Sequence, residues 1–282
     1  MLLVVAFTAT FFFIGDSKLN ELAKLKNESN ERVRVALESS SILAKAVSVY
    51  DLTDNAKIYG RNDDIALPIA SLAKIISVVV GLEGHDLNEI VYVSGEAVKQ
   101  AGDFGIFANE KWKIGDIAKF TLIVSANDGA YALSERKSNF LTLISNKSKK
   151  LGAPSTLFLN ATGLDLDANT KSGAWANAMD VNLMASYALR AYPEIFSVTT
   201  LPEINLISES GFEHNFKNTN ILIGKIPNLL FSKTGYTEVA GGNLTIIFKN
   251  QNDHEIAITL LGSTFDGRFA DMEKIVEILY NF

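Results

Sequence analysis

Three short stretches of the chain carry side chains able to run nucleophilic chemistry. In Ser71-Leu72-Ala73-Lys74 a hydroxyl and an amine stand three residues apart. On a helix that spacing places both on one face, with Cβ atoms about 5–6 Å apart, so the amine can take the hydroxyl proton. On a strand the two point to opposite sides and cannot cooperate. The second stretch is Ser125-Ala126-Asn127, where the apolar run Leu122-Ile123-Val124 breaks. The third is Lys233-Thr234-Gly235, inside a strand-like run that places Lys233 and Gly235 on one face.

Each stretch has an ordinary structural explanation when taken alone. Ser134-Glu135-Arg136-Lys137 repeats the Ser-x-x-Lys spacing in a charged stretch that reads as a solvated helix end. Ser-Ala-Asn after an apolar run is a common loop or helix cap. Lys-Thr-Gly reads equally well as a hairpin corner, although a glycine within a strand often marks close approach of a ligand or another backbone. Taken together, Ser-x-x-Lys, Ser-x-Asn and Lys-Thr-Gly in that order form the signature set of penicillin-recognising serine enzymes.

The sequence thereby resembles the low-molecular-mass D-alanyl-D-alanine carboxypeptidases, serine-type DD-peptidases that bind penicillin. The similarity runs from about Ala44 to the end of the chain. It includes Leu67-Pro68-Ile69-Ala70-Ser71, Asn160-Ala161-Thr162-Gly163-Leu164 and Ala240-Gly241-Gly242-Asn243-Leu244. The resemblance implies that Ser71 attacks the penultimate D-alanine carbonyl of a peptidoglycan stem peptide. Lys74 would be the base, Ser125 a proton relay, and Asn127 the holder of substrate and Lys74. Lys233 and Thr234 would bind the terminal carboxylate beside Gly235, with the N–H groups of Ser71 and Tyr236 as the oxyanion hole. A lysine at its ordinary pKa near 10.4 is almost fully charged at neutral pH, so Lys74 needs burial or a second cation, for which Lys233 is the candidate. Arg268 resembles a family arginine near the last helix, counted with the substrate-binding residues though a structural role fits equally. Asp103 and Phe104 fall in a loop that would form a lid. Thr219 stands where some relatives carry a carboxylate-binding arginine. β-Lactams are the expected inhibitors, and no cofactor or metal is implied.

Three other readings use the same residues. A DD-endopeptidase would cut cross-links with the same machinery. A class A β-lactamase would need a Glu-x-x-Leu-Asn loop between Ser125 and Lys233, and none is present. A non-catalytic cell-wall-binding scaffold would share the fold without acylation.

The elements that must position these residues follow from pattern. Residues Ala44–Asp51 alternate as a strand, with Ala56–Tyr59 as the hairpin partner. Leu229–Thr237, Asn243–Lys249 and Glu255–Gly262 read as three more strands. Arg268–Tyr280 reads as an amphipathic helix with Phe269, Met272, Ile275, Val276 and Leu279 on one stripe. Ser71–Glu83 is rich in β-branched residues, which favour strands. Its length and the Ser–Lys requirement favour a buried helix. The expected fold class is α/β (α+β) of the β-lactamase/DD-peptidase kind. An antiparallel sheet built from both chain ends is flanked by helices, with an inserted helical lobe over roughly residues 71–200.

Composition sets the outer limits. The 282 residues carry 26 Lys plus Arg against 32 Asp plus Glu, a net charge of −6 that gives no footprint for nucleic acid. The absence of cysteine removes thiol catalysis and Cys-ligated metals. His85, His214 and His254 form no metal-binding spacing and read as surface or loop residues. Residues 1–15 include an apolar run from Leu2 to Gly15; as a helix it would span roughly 21 Å, short of the roughly 30 Å membrane core. It reads as a signal or anchor segment, hence an extracytoplasmic location with membrane attachment through this segment. Residues 16–40 read as a polar stalk or linker, and 41–282 as the catalytic domain.

Overall fold

The computed structural model describes residues 21, 24, 25, 27–167 and 170–280. Helix α1 covers residues 27–39. Strands β1 (Ala46–Asp51) and β2 (Ala56–Arg61) follow, then the two-residue β3 (Leu67–Pro68). A 3₁₀ turn over Ala70–Ala73 leads into α2 (Lys74–Leu82). The lobe continues through β4 (Ile90–Tyr92), β5 (Lys111–Lys113), α3 (Ile114–Ile123), α4 (Asn127–Ser134) and α5 (Phe140–Lys150). Next come β6 (Leu157–Phe158), β7 (Ala174–Ala176), α6 (Ala178–Ala191) and α7 (Pro193–Phe196). The hairpin β8 (Glu203–Ile207) and β9 (Glu213–Lys217) precedes three long strands, β10 (Leu229–Thr237), β11 (Gly241–Lys249) and β12 (Glu255–Ser263). Helix α8 (Gly267–Tyr280) closes the described chain.

The main sheet has five strands in the order β10-β11-β12-β1-β2, antiparallel throughout. It joins the two ends of the chain, as the sequence pattern led us to expect. Period-two alternation gives each strand two apolar faces. Phe231, Ile247, Ala257 and Leu261 pack on one side with the helical lobe. Leu244, Ile246, Ile258 and Leu260 pack on the other side with Phe269, Met272, Ile275 and Leu279 of α8. The α8 stripe is the one read from the sequence.

Two expectations need correction. Residues 27–39 are not a solvated stalk. They form a helix whose Val33 and Leu37 are 1% and 0% exposed within the same core as α8. Those two residues are four apart and share a face. The polar and charged residues around it, with Arg34 bonded to Glu31 and Glu38, mask the stripe. The folded body therefore begins before residue 41. His214 is likewise not a surface or loop residue: it lies in β9, its side chain 7% exposed, against a fully buried Glu110. The apolar segment up to Gly15 lies outside the described residues. Among the described residues no helix is long and apolar enough to cross a membrane.

A row of hydroxyls anchors the lobe to the sheet. Thr245, Thr259 and Ser48 are cross-strand neighbours in register with Lys233. Asn182 of α6 accepts from Thr259 Oγ1 at 2.6 Å and donates to Ser48 Oγ at 3.1 Å. The row that ends at Lys233 is thus tied to the helical lobe, and the lobe's registry on the sheet fixes where that lysine stands. A Leu37→Ala variant is expected to lose about 2–5 kcal/mol of unfolding free energy by urea denaturation; wild-type stability would restore the free-stalk reading of residues 27–39.

Candidate active site

The candidate nucleophile sits on a strained turn. Ala70, just before Ser71, has φ 48°, a left-handed conformation unusual for a residue with a Cβ. The 3₁₀ turn then passes directly into α2, so Ser71 and Lys74 share a helical face despite the β-branched run that follows. Tertiary burial overrides local propensity here, because α2 is buried on all sides. Lys74 itself is 0% exposed.

Three oxygens surround the Lys74 amine. Nζ lies 2.7 Å from Ser71 Oγ, 2.7 Å from Asn127 Oδ1 and 2.8 Å from the Thr162 carbonyl. Asn127 is oriented by its other end, where Nδ2 donates to the Ala101 carbonyl at 2.6 Å. The Thr162 carbonyl is presented by a loop folded on Asn160, whose Oδ1 accepts from Gly163 N at 2.7 Å. That loop lies hard against the nucleophile turn. A Cβ on Gly163, which has φ +78°, would stand 1.9 Å from the Ala70 carbonyl oxygen.

The charged amine donates to all three oxygens, and the neutral amine has one fewer N–H to give. Asn127 Oδ1 and the Thr162 carbonyl can only accept. A neutral amine has two N–H bonds and one lone pair, so those acceptors take both N–H bonds and leave the lone pair for the Ser71 O–H. Burial brings the Lys74 pKa down to about 7, against an opposing pull from the carboxylate of Asp128. Asp128 is itself 3% exposed and pushed up to about 6, chiefly by burial.

Ser125 and Lys233 form the other half. Ser125 has φ 64° at the elbow between α3 and α4, which lets Ser125 and Asn127 both reach the cleft. Lys233 Nζ lies 2.7 Å from Ser125 Oγ and 2.8 Å from the Thr234 carbonyl. Its pKa is pushed well down, first by burial and then by the positive Lys74 and Arg268. The expectation that a second cation depresses Lys74 is therefore corrected in emphasis: burial is the main cause, and the like-charge effect falls on Lys233.

Gly235 lets the sheet edge approach the turn. A Cβ there would lie 2.9 Å from the Ile69 carbonyl and 3.3 Å from Ser71 N. Tyr236, the next residue on β10, is 39% exposed, and its hydroxyl donates to Glu238. Arg268 acts on this strand from its backbone side. It is 4% exposed, and Nη1 donates to the Gly235 carbonyl at 2.8 Å. Thr219 was singled out for lacking an arginine; its hydroxyl lies 2.6 Å from Thr234 Oγ1. Asp103 accepts from Gly105 N and shapes its own loop. The decoy pair is not brought together, since Ser134 donates to Tyr131 O and Lys137 to Glu83 O.

Sequence reasoning missed the Thr162 and Ala101 carbonyls and the Asp128 carboxyl. The first two are backbone groups and carry no residue-type signal; Asp128 adjoins the Ser-Ala-Asn motif without being part of its pattern. The side chains of this site are amines, hydroxyls, an amide and the single carboxyl of Asp128, not a metal-ligating set. Asp51 and Asp54, at the end of β1 and in the β1–β2 turn, lie close to His254 of the β11–β12 turn, outside this site, with His254 Nδ1 2.8 Å from Asp51 Oδ2.

A model of the D-alanyl-D-alanine carboxypeptidase family matches residues 32–264. The chain belongs to the D-alanyl-D-alanine carboxypeptidase family. The family match begins within α1, in keeping with that helix being part of the folded body. The chain is 28% identical over 248 residues to D-alanyl-D-alanine carboxypeptidase DacF of Bacillus subtilis (strain 168), covering 84% of this chain and 62% of that protein. It is 29% identical over 202 residues to a D-alanyl-D-alanine endopeptidase of Pseudomonas aeruginosa, covering 68% of this chain and 63% of the relative. It thus spans less than two thirds of the length of these relatives. Among solved structures, penicillin-binding protein D2 of Listeria monocytogenes in its ampicillin-bound form is 27% identical with a TM-score of 0.72, covering 86% of this chain and 99% of that one.

Adding a methyl at the loop–turn contact tests this family member's geometry. Gly163→Ala is expected to slow labelling by fluorescent penicillin about 100-fold, because small displacements of a nucleophile have effects of that size. Ser134→Ala is expected to label at the wild-type rate.

Proposed function

We propose that the protein is a serine-type D-Ala-D-Ala carboxypeptidase that removes the terminal D-alanine of peptidoglycan stem peptides. The observation that carries the reading is the Ser71 hydroxyl 2.7 Å from a fully buried amine whose other neighbours can only accept hydrogen bonds. Serine is a weak nucleophile until a base removes its proton, and a buried lysine near neutrality is such a base.

In this reading Ser71 Oγ attacks the penultimate D-alanine carbonyl while its proton passes to Lys74. The N–H groups of Ser71 and Tyr236 hold the oxyanion. The close packing of Gly235 on the nucleophile turn supports this pairing. Lys233 and Thr234 bind the terminal carboxylate, and Arg268 holds β10 in place through Gly235. Collapse of the tetrahedral intermediate breaks the peptide C–N bond, and the D-alanine amine leaves with a proton delivered through Ser125. Water then cleaves the acyl-serine ester and regenerates the hydroxyl. A β-lactam resembles the D-Ala-D-Ala end, so it acylates Ser71 and leaves slowly; the ampicillin-bound relative supports this.

The substrate lies outside the cytoplasmic membrane, so the reading carries an extracytoplasmic location. The apolar segment Leu2–Gly15 is the proposed export or anchor element. The relative named as an endopeptidase supports cross-link cleavage as the second reading.

Incubation with a pentapeptide stem ending in D-Ala-D-Ala is expected to release free D-alanine, and Ser71→Ala to release none. Monomer release from cross-linked muropeptides without free D-alanine from pentapeptide would favour the endopeptidase. The acylation rate is expected to rise with pH through about 7 and level off above, because only neutral Lys74 accepts the proton. A flat profile from pH 5 to 9 would remove Lys74 from the role of base.

A further inference from the structure

The acyl-serine chemistry does not use one buried ionisable pair. Glu110 has no side-chain exposure and lies 2.7 Å from Nε2 of His214, itself 7% exposed. The two come from different parts of the fold. Glu110 ends the loop that runs from Ala101 and precedes β5; His214 belongs to β9. Burying a carboxylate is costly unless it is paired and hydrogen-bonded. Here the His214 ring nitrogen is hydrogen-bonded to one carboxyl oxygen. The second oxygen accepts from Phe107 N at 2.9 Å. The imidazole is packed among rings, with centroids 5.1 Å from Trp112 and 5.4 Å from Phe216.

The loop touches the catalytic group directly, and the hairpin leads into a residue that touches Thr234. The loop presents the Ala101 carbonyl to Asn127 Nδ2 at 2.6 Å, and that bond orients the amide whose other end meets Lys74. Between Ala101 and Phe107 the backbone turns at Gly102 and Gly105, both at positive φ. Ile106 anchors this stretch in the core, and the Phe107 ring packs on Phe212 of the hairpin at 5.4 Å, so the polar pair adds a directional bond to an apolar contact between loop and hairpin. On the other side, β9 ends two residues before Thr219, whose hydroxyl touches Thr234.

We propose that the Glu110–His214 pair is a positioning clamp: it locks the Ala101–Glu110 loop to the β8–β9 hairpin and so holds Asn127, through Ala101, in place for acylation at Ser71. The inference rests on the acyl-serine reading. Neither residue touches substrate, and the pair acts through Asn127.

The test measures the second-order rate of labelling by fluorescent penicillin in the full chain, with thermal unfolding alongside. Glu110→Met/His214→Phe removes both polar partners together, so no unpaired charge is left buried. It is expected to fold and to label about tenfold more slowly. Glu110→Gln keeps an acceptor for Phe107 N–H and a partner for the ring nitrogen, and is expected to recover most of the rate. In an Asn127→Ala background the double substitution is expected to change the residual rate less than about twofold, because residues acting through one another are non-additive. The same tenfold loss in that background would overturn the clamp, as would a wild-type rate in the double variant. If the apolar pair does not fold, Glu110→Asp decides: its shorter carboxylate loses reach to one partner. It must label more slowly than Glu110→Gln, and equal rates would overturn the proposal. A wild-type protein that never labels would instead refute the acyl-serine reading itself.

Discussion

The structure depends on burying two lysine amines within one cleft. A charged amine taken out of water is strongly penalised, and a second one nearby adds repulsion. For Lys74 the penalty lowers the pKa from 10.5 to about 7, on the order of 5 kcal/mol at 1.36 kcal/mol per unit. The folded state then holds fewer protons than the unfolded chain between those pH values. The cost to stability is full below about pH 7 and fades as the pH rises toward 10.5. The fold bears that cost, and gains in return an amine with a free lone pair beside a hydroxyl.

Several local features exist to hold this arrangement. Ala70 and Ser125 accept left-handed backbone, which the surrounding packing must enforce. Gly163 and Gly235 give up side chains so that a loop and a sheet edge can close on the nucleophile turn. Arg268 holds the backbone of β10 and Asn182 docks the lobe on the sheet. The site is therefore a seam between two bodies, the five-stranded sheet and the helical lobe. Each body supplies one of the two lysines.

The parts legible in the sequence were those written in side-chain pattern. Alternation in β10–β12 and the apolar stripe of α8 follow from periodicity alone. Ser71, Lys74, Ser125, Asn127 and Lys233 were legible because three weak motifs occur in one order. Helix α2 was readable only by setting chemistry above the strand preference of Ile75, Ile76 and Val78–Val80. What stayed hidden has physical reasons. The Thr162 and Ala101 carbonyls are backbone atoms, which any residue provides. Val33 and Leu37 are two apolar positions in a charged helix, too thin a stripe to stand out. His214 is one residue whose burial is decided by Glu110, over 100 positions away.

The central claim is that Lys74 loses its proton near neutrality and so can serve as the base. The most direct measurement is an NMR titration of the Lys74 side chain in uniformly ¹³C,¹⁵N-labelled protein, following its ¹³Cε shift from pH 5 to 11. The signal is assigned by its loss in Lys74→Arg. The account predicts a midpoint near 7. A midpoint near 10.5, the value of an unburied lysine, would mean that the amine is charged at rest, and the proton-acceptor role would then have to belong to another group.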